Sequence, residues 1–383
     1  MSALVPAGER LSIVLGGMLA GVPRQGGASW AVLQYLLGLR RLGHDVLLLE
    51  PVDAGPGGLP GSPAATYFDS VVGCFGLRGS AALIDAGGGR PYGLDQAAVA
   101  RFCARADLLL NLSGVLDDDD LLGAIGVRAF VDLDPGFTQL WEAVEGIDMG
   151  FGRHNRFVTV GRSVGAPDCA VPTCGRRWIT TPQPVVLEHW PVAEETVSER
   201  LTTVGHWRAY GSIEHGGVHY GQKAHSLRPL IDLPGRLGVA LEPALAIHPE
   251  ETRDLAALTE AGWRLLDPDA AAGTPARYRS FVRGSWAEFG LAKAGYVAAG
   301  CGWFSDRSVC YLASGRPVIA QDTGFGAHLP TGTGLLAFDD ADDVVAAVDS
   351  LRSDYGRHRR AAREIAESVF DSDRVLGELL ACL

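Results

Sequence analysis

The stretch 302–325, GWFSDRSVCYLASGRPVIAQDTGF, restricts the fold more than any other part of the chain. A turn at 302–305 leads into a helical pattern over 306–313. A Gly-Arg-Pro break at 315–317 stops that helix, and a short apolar run at 318–320 reads as a buried strand. Ser305 is a good N-cap, and Asp306 suits the first helical turn. Gly315 supplies the positive φ on which helices end, and Pro317 has no N–H with which to continue one. Helix, break and buried strand in this order are the repeating step of a parallel α/β sheet. A helix N-terminus beside a loop at the carboxyl end of such a strand suits an anion and a sugar.

The rest of the chain repeats the alternation. With 383 residues, 47% of them hydrophobic and 20% charged, it is long and apolar enough for two cored domains. Residues 11–15 read as a strand, 16–27 as a glycine-rich loop, 30–42 as a helix and 45–50 as a second strand. The G-x-G-x-x-G spacing of a dinucleotide fingerprint is absent. The pattern predicts further strands at 81–85, 108–112, 128–133, 157–160, 201–205 and 263–266, with helices at 64–75, 94–106, 250–261, 341–351, 356–370 and 373–383. The Pro-containing stretch 180–192 reads as a connector. We therefore expect domains at 1–185 and 186–370, and a last helix at 371–383.

A net charge of −12 and a pI near 5.3 argue against a broad nucleic-acid surface. No run has the length of a membrane span, and 11–22, broken by Gly16, Gly17 and Gly21, reads as a first strand rather than a signal peptide. The seven cysteines are odd in number and scattered, which suits reduced thiols in the cytoplasm. The acid run 117–120, the pair Cys169 and Cys174, and the histidines His215, His219 and His225 each lack the second set of ligands a metal site needs. No metal and no cofactor are expected.

The segment Ala313-Ser314-Gly315-Arg316-Pro317-Val318, followed by Asp322-Thr323-Gly324, resembles the donor site of the GT-B glycosyltransferases, and Gly43-His44-Asp45-Val46 resembles their first turn. The resemblance implies two Rossmann-like domains facing a central cleft and a nucleoside diphosphate sugar, such as a UDP-sugar, as co-substrate. It also implies a last helix that crosses back to the first domain, and no metal. Many retaining members carry a Glu-x7-Glu pair whose second Glu holds the donor ribose, and Cys310 stands at that position. The resemblance therefore gives neither the ribose contact nor the subfamily, and retention or inversion stays open. For the donor diphosphate the resemblance points to Arg208, Lys223, Ser305, Asp306, Arg307 and Ser308, and for the donor sugar to Asp322, Thr323 and Gly324. Arg307 is a cation in a helix's first turn, which calls for a compensating anion. Glu288 and Lys293, five apart, are secondary candidates as an ion pair.

On the acceptor side the loop with Gly21, Arg24, Gln25, Gly26 and Gly27 faces the cleft and offers no acid or histidine. The candidates for the reacting end are Asp134, which ends a parallel strand before a Pro-Gly turn, and His154, with Asp132 beside them. The expected partners are a nucleotide sugar and a small-molecule or glycan acceptor. Two rival functions share this layout. A GT-B-like nucleotide-sugar epimerase would turn over its donor with no acceptor, and a non-catalytic sugar- or nucleotide-binding protein would turn over nothing.

Overall fold

The computed structural model describes residues 10–194 and 198–383. Two parallel sheets organise them. The first holds β1 (Ser12–Gly16), β2 (Asp45–Val52), β3 (Ala81–Asp85), β4 (Leu108–Leu112), β5 (Val127–Asp132), β6 (Arg156–Thr159) and β7 (Trp178–Thr180), in the order β3-β2-β1-β4-β5-β6-β7. Past β8 (Arg200–His206) comes a hairpin of β9 (Ile213–His215) and β10 (Val218–Tyr220). The second sheet combines β8 with β11 (Ala240–Ala246), β12 (Ala287–Gly290), β13 (Val318–Gln321) and β14 (Leu335–Phe338), in the order β11-β8-β12-β13-β14. The fold is therefore two Rossmann-like α/β units. Their strands are apolar runs because helices cover both faces. Strand order reverses between β1 and β4 in one sheet and between β8 and β12 in the other, and at such points loops part to leave a crevice at the carboxyl ends. Among the described residues no helix is long and apolar enough to cross a membrane.

Residues 263–266 do not form the strand that their pattern predicts. Arg264 and Leu266 donate backbone hydrogen bonds to the carbonyls of Leu241 and Pro243, so the segment lies along the edge of β11. A parallel ladder needs residue 243 to donate back to the Arg264 carbonyl, and Pro243 has no N–H.

The first helix also departs from the expectation. It spans Gly26–Arg41, so Gly26 and Gly27 belong to its first turn and not to the loop before it. Close packing explains both glycines. A Cβ on Gly26 would lie 2.3 Å from the Thr274 carbonyl group, and one on Gly27 would lie 3.0 Å from the Tyr278 ring. In the same joint the Trp30 indole donates to the Pro275 carbonyl at 2.8 Å. Gly26→Ala is expected to force the two domains apart here and to lower stability by about 1–3 kcal/mol, the cost of overpacking. Calorimetry showing an unchanged melting temperature would mean that the joint yields freely.

The chain passes between the sheets twice, and the two passages lie together. Val185 donates to Phe370 at 2.7 Å and accepts from Ser372 at 2.9 Å. The last helix, Ser372–Cys382, then packs on the first: Gly38 faces Leu376 and Ser372, and Arg41 pairs with Asp373 at 3.0 Å. The apolar core runs on from Leu33 and Leu36 through Trp190 to Tyr311 and Leu312 without a break.

Candidate functional site

The loop after β1 forms one wall of the crevice. The Glu50 carboxylate, fully buried on β2, accepts from the Ala20 amide at 2.9 Å and the Gly21 amide at 2.6 Å. Burial pushes this carboxyl up to about 7, and the amides of Gly21, Ala20 and Leu19 hold it from rising further. Farther along, Arg24 takes a positive φ of 68° and pairs with Asp269 of the second domain, while Gln25 donates to His206 Nε2 at 3.3 Å.

The opposite wall begins at the helix Asp306–Ala313. Ser305 caps it, accepting from the Arg307 amide at 3.2 Å. Helical geometry then directs the Arg307 side chain down between β8 and β12, where it donates to the Val204 carbonyl at 3.0 Å and pairs with the Glu288 carboxylate. Arg307 is 7% exposed and Glu288 0%, and the second Glu288 oxygen has no partner. Burial works against the guanidinium charge, but Glu288 more than offsets it and raises the pKa.

Lys223, at the start of the helix Lys223–Leu227, also points to this place. Its ammonium lies beside Gly205, where a Cβ would stand 3.1 Å from Nζ, and the side chain is 8% exposed. No hydrogen bond or ion pair holds it among the described residues, since Asp134 pairs with Lys293 and Glu288 with Arg307. Burial and then the charges of Arg307 and Lys293 push its pKa well below the usual lysine range. Between the walls is a cavity of about 370 Å³ lined by Gln25, Gly27, Gly205, His206, Asp306 and Arg307, among others. Its lining sets Arg307 and the first turn of the 306–313 helix against Gln25 and His206. His206, whose neutral ring accepts from Gln25, was not among the sequence candidates; its place at the end of β8 is the signal for it.

The other expected donor residues are placed differently. Arg208 pairs with Glu251 at 2.5 Å and is absent from the cavity lining. Ser308 is buried in its helix. Asp306 lines the cavity, but its carboxylate would repel an anion, so its side chain suits a hydroxyl group instead. Asp322 accepts from the Gly324 amide at 2.9 Å, and the Thr323 hydroxyl donates to the Trp303 carbonyl at 2.5 Å. Thr323 also accepts from Gly302 at 2.8 Å, and Gly324 takes a φ of 89° against Gly300. These three brace the turn before the 306–313 helix from behind. The same turn is stitched to the first domain, since Ser163 donates to Cys301 at 3.0 Å.

Glu288 and Lys293 do not pair with each other. Glu288 is directed to Arg307, whereas Lys293, past the end of β12, reaches Asp134 of the first domain at 2.8 Å. Both oxygens of Asp134 are engaged, because the hydroxyls of Tyr210 and Tyr296 donate to them as well. Burial and then Asp134 push both phenols up, so they stay protonated donors. The Lys293 ammonium also faces the rings of Tyr210 at 4.2 Å, Tyr296 at 5.0 Å and Phe137 at 5.1 Å. No local feature of the sequence points to the two tyrosines, which only the fold brings to Asp134.

Asp132 is fully buried and accepts from Thr138, Gln139 and Thr159 at 2.7–2.8 Å, which fixes the turn around Asp134. His154 is buried too. Its Nδ1 donates to the Gly150 carbonyl at 2.8 Å and its Nε2 accepts from Asn111 at 3.0 Å. Both ring nitrogens are satisfied by a neutral imidazole, burial lowers its pKa, and the cavity lining does not include it.

No family model matches the sequence, and no protein with a curated description matches it. Solved structures do match the fold. HepE of Anabaena, solved with UDP and glucose, is 13% identical with a TM-score of 0.58 over 97% of this chain and 100% of that one. Sucrose-phosphate synthase of Thermosynechococcus elongatus is 13% identical with a TM-score of 0.55, over 96% and 97%. An alpha-glucosyltransferase, solved with UDP and a 13-mer DNA, is 12% identical with a TM-score of 0.59, over 98% and 99%. The chain has the GT-B fold, two Rossmann-like domains facing a cleft.

Proposed function

We propose that the chain is a glycosyltransferase that moves a sugar from a nucleoside diphosphate sugar to a small-molecule or glycan acceptor. One observation carries this reading: Arg307 and the N-terminus of the 306–313 helix line a cavity at the switch points of both sheets, and the Lys223 ammonium lies beside Gly205 of its wall. The departing diphosphate gains negative charge in the transition state, and preorganised cations and amides favour that state over the ground state. These cations are proposed to supply the compensation without a metal or any other cofactor. UDP is the nucleotide of choice for a first test, because it occupies solved structures of this fold. The loop with Gly21, Arg24 and Gln25 is the proposed acceptor wall, and the Asp306 carboxylate is proposed to accept a hydroxyl of the donor. The seven cysteines are all free, which supports placing the reaction in the cytoplasm.

Titration calorimetry with UDP in the presence of a chelator tests the reading. Binding is expected, and Lys223→Ala is expected to weaken it by about 1–3 kcal/mol, the scale of a charge-assisted hydrogen bond. Arg208→Ala is expected to change it by less than about 1 kcal/mol, since Glu251 already holds that partly exposed side chain. If no UDP, GDP or dTDP species binds, or if binding requires a metal, the reading fails.

A further inference from the structure

We propose that Lys223, buried beside Gly205 of the cavity wall, takes up a proton from solvent when a diphosphate binds. Donor binding is then coupled to pH through this one side chain. The inference rests on the reading of the cavity as the donor site.

Of the 33 Lys and Arg residues, all but Lys223 and Lys293 are arginine. Both lysines lie at the cleft, one beside Gly205 and the other on Asp134. The exception is chemically meaningful. Arginine holds its proton at any pH a protein meets, whereas a buried lysine gives its proton up readily. The two lysines are nevertheless in opposite situations. Lys293 has a carboxylate and three aromatic rings around its ammonium. Lys223 is 8% exposed and has no hydrogen-bond or ion-pair partner among the described residues.

The charged and titratable groups facing Lys223 are Arg307, Lys293 and His206 on one side of the balance, and Glu288 and Asp306 on the other. Glu288 is already committed to Arg307. The cations therefore disfavour a further positive charge, and burial removes most of the water that would otherwise solvate it. A diphosphate entering the cavity reverses the balance, because its negative charge favours the ammonium. The sign follows directly. In free protein the pKa is depressed, in the complex it is restored, and between the two values binding consumes a proton. Affinity therefore falls as pH rises through that window, by up to about tenfold per pH unit.

UDP calorimetry in buffers of different ionisation enthalpy reads the proton directly. The parent is expected to take up close to one proton per UDP at mildly alkaline pH. Lys223→Arg, permanently charged, is expected to bind without uptake and with a flat pH profile above neutrality. Lys223→Met is expected to bind more weakly, again without uptake. A second readout needs no ligand. With two lysines in the chain, ¹³Cε-lysine labelling gives two resolvable signals, and one of them is expected to titrate well below the ordinary lysine range. UDP binding by the parent without proton uptake, or undiminished uptake in Lys223→Met, overturns the coupling and leaves the donor site standing. If the parent and both variants all fail to bind UDP, the donor reading falls with it. A free-protein lysine signal that stays in the ordinary range overturns the coupling whatever binds.

Discussion

Glu288→Ala is expected to lower the free energy of unfolding by about 3–5 kcal/mol, the cost of removing one partner from a buried ion pair. Glu288 is wholly buried on β12, and Arg307 is 7% exposed. Without the carboxylate the guanidinium keeps one hydrogen bond, to the Val204 carbonyl at 3.0 Å, but no countercharge and little water. Arginine cannot escape by losing its proton. The pair itself adds little net stability, because desolvating two charges offsets most of their attraction. Hence the double variant Glu288→Met with Arg307→Met is expected to recover most of the loss, while UDP affinity stays low for want of Arg307. Urea denaturation of the parent, the single variant and the double variant measures these values. A single-variant loss of only a few tenths of a kcal/mol would mean that Arg307 reaches solvent, and its role as a fixed cation at the cavity would have to be given up.

This pair also marks the limit of what the sequence reveals. The helix, break and strand at 302–325 were legible because each step has a local chemical cause: Ser305 as cap, Gly315 at a φ of 65°, and Pro317 before a buried strand. The pairing of Glu288 with Arg307 has no local cause. It spans 19 residues and two elements, so spacing pointed instead to Lys293, five residues from Glu288. Gly26 and Gly27 misled for a related reason. Glycine signals either a loop or a close approach, and only the second domain's segment at 272–278 reveals that these two serve the second purpose. The strand expected at 263–266 failed through Pro243, twenty residues upstream, which periodicity within a short window does not register. Asp134 was found because a turn at a strand end is a local feature, yet its partners Lys293, Tyr210 and Tyr296 come from the other domain.

Those partners change what replacing Asp134 should do. A general base needs a free lone pair and a proton affinity suited to the task. Here one oxygen accepts from Lys293 at 3.0 Å and from Tyr296, and the other from Lys293 at 2.8 Å and from Tyr210. With its lone pairs engaged and its charge compensated, Asp134 holds the two walls of the cleft in register rather than abstracting a proton. Asp134→Asn is therefore expected to slow donor turnover by roughly 10²-fold or more, the scale of a misplacement of about 1 Å between reacting groups. UDP affinity is expected to stay nearly unchanged, because Lys223 and Arg307 remain in place. Stability is expected to fall by about 2 kcal/mol, less than for Glu288, since Asp134 and Lys293 keep 23% and 15% side-chain exposure. Turnover can be read without a known acceptor as UDP released from slow hydrolysis of the nucleotide sugar. The pH profile separates the two roles. If Asp134 positions, the variant is slower at every pH and the profile keeps its shape. If Asp134 is the base, the variant loses the limb on which the parent's rate rises with pH, and Lys293 must then be displaced from the carboxylate when substrate binds.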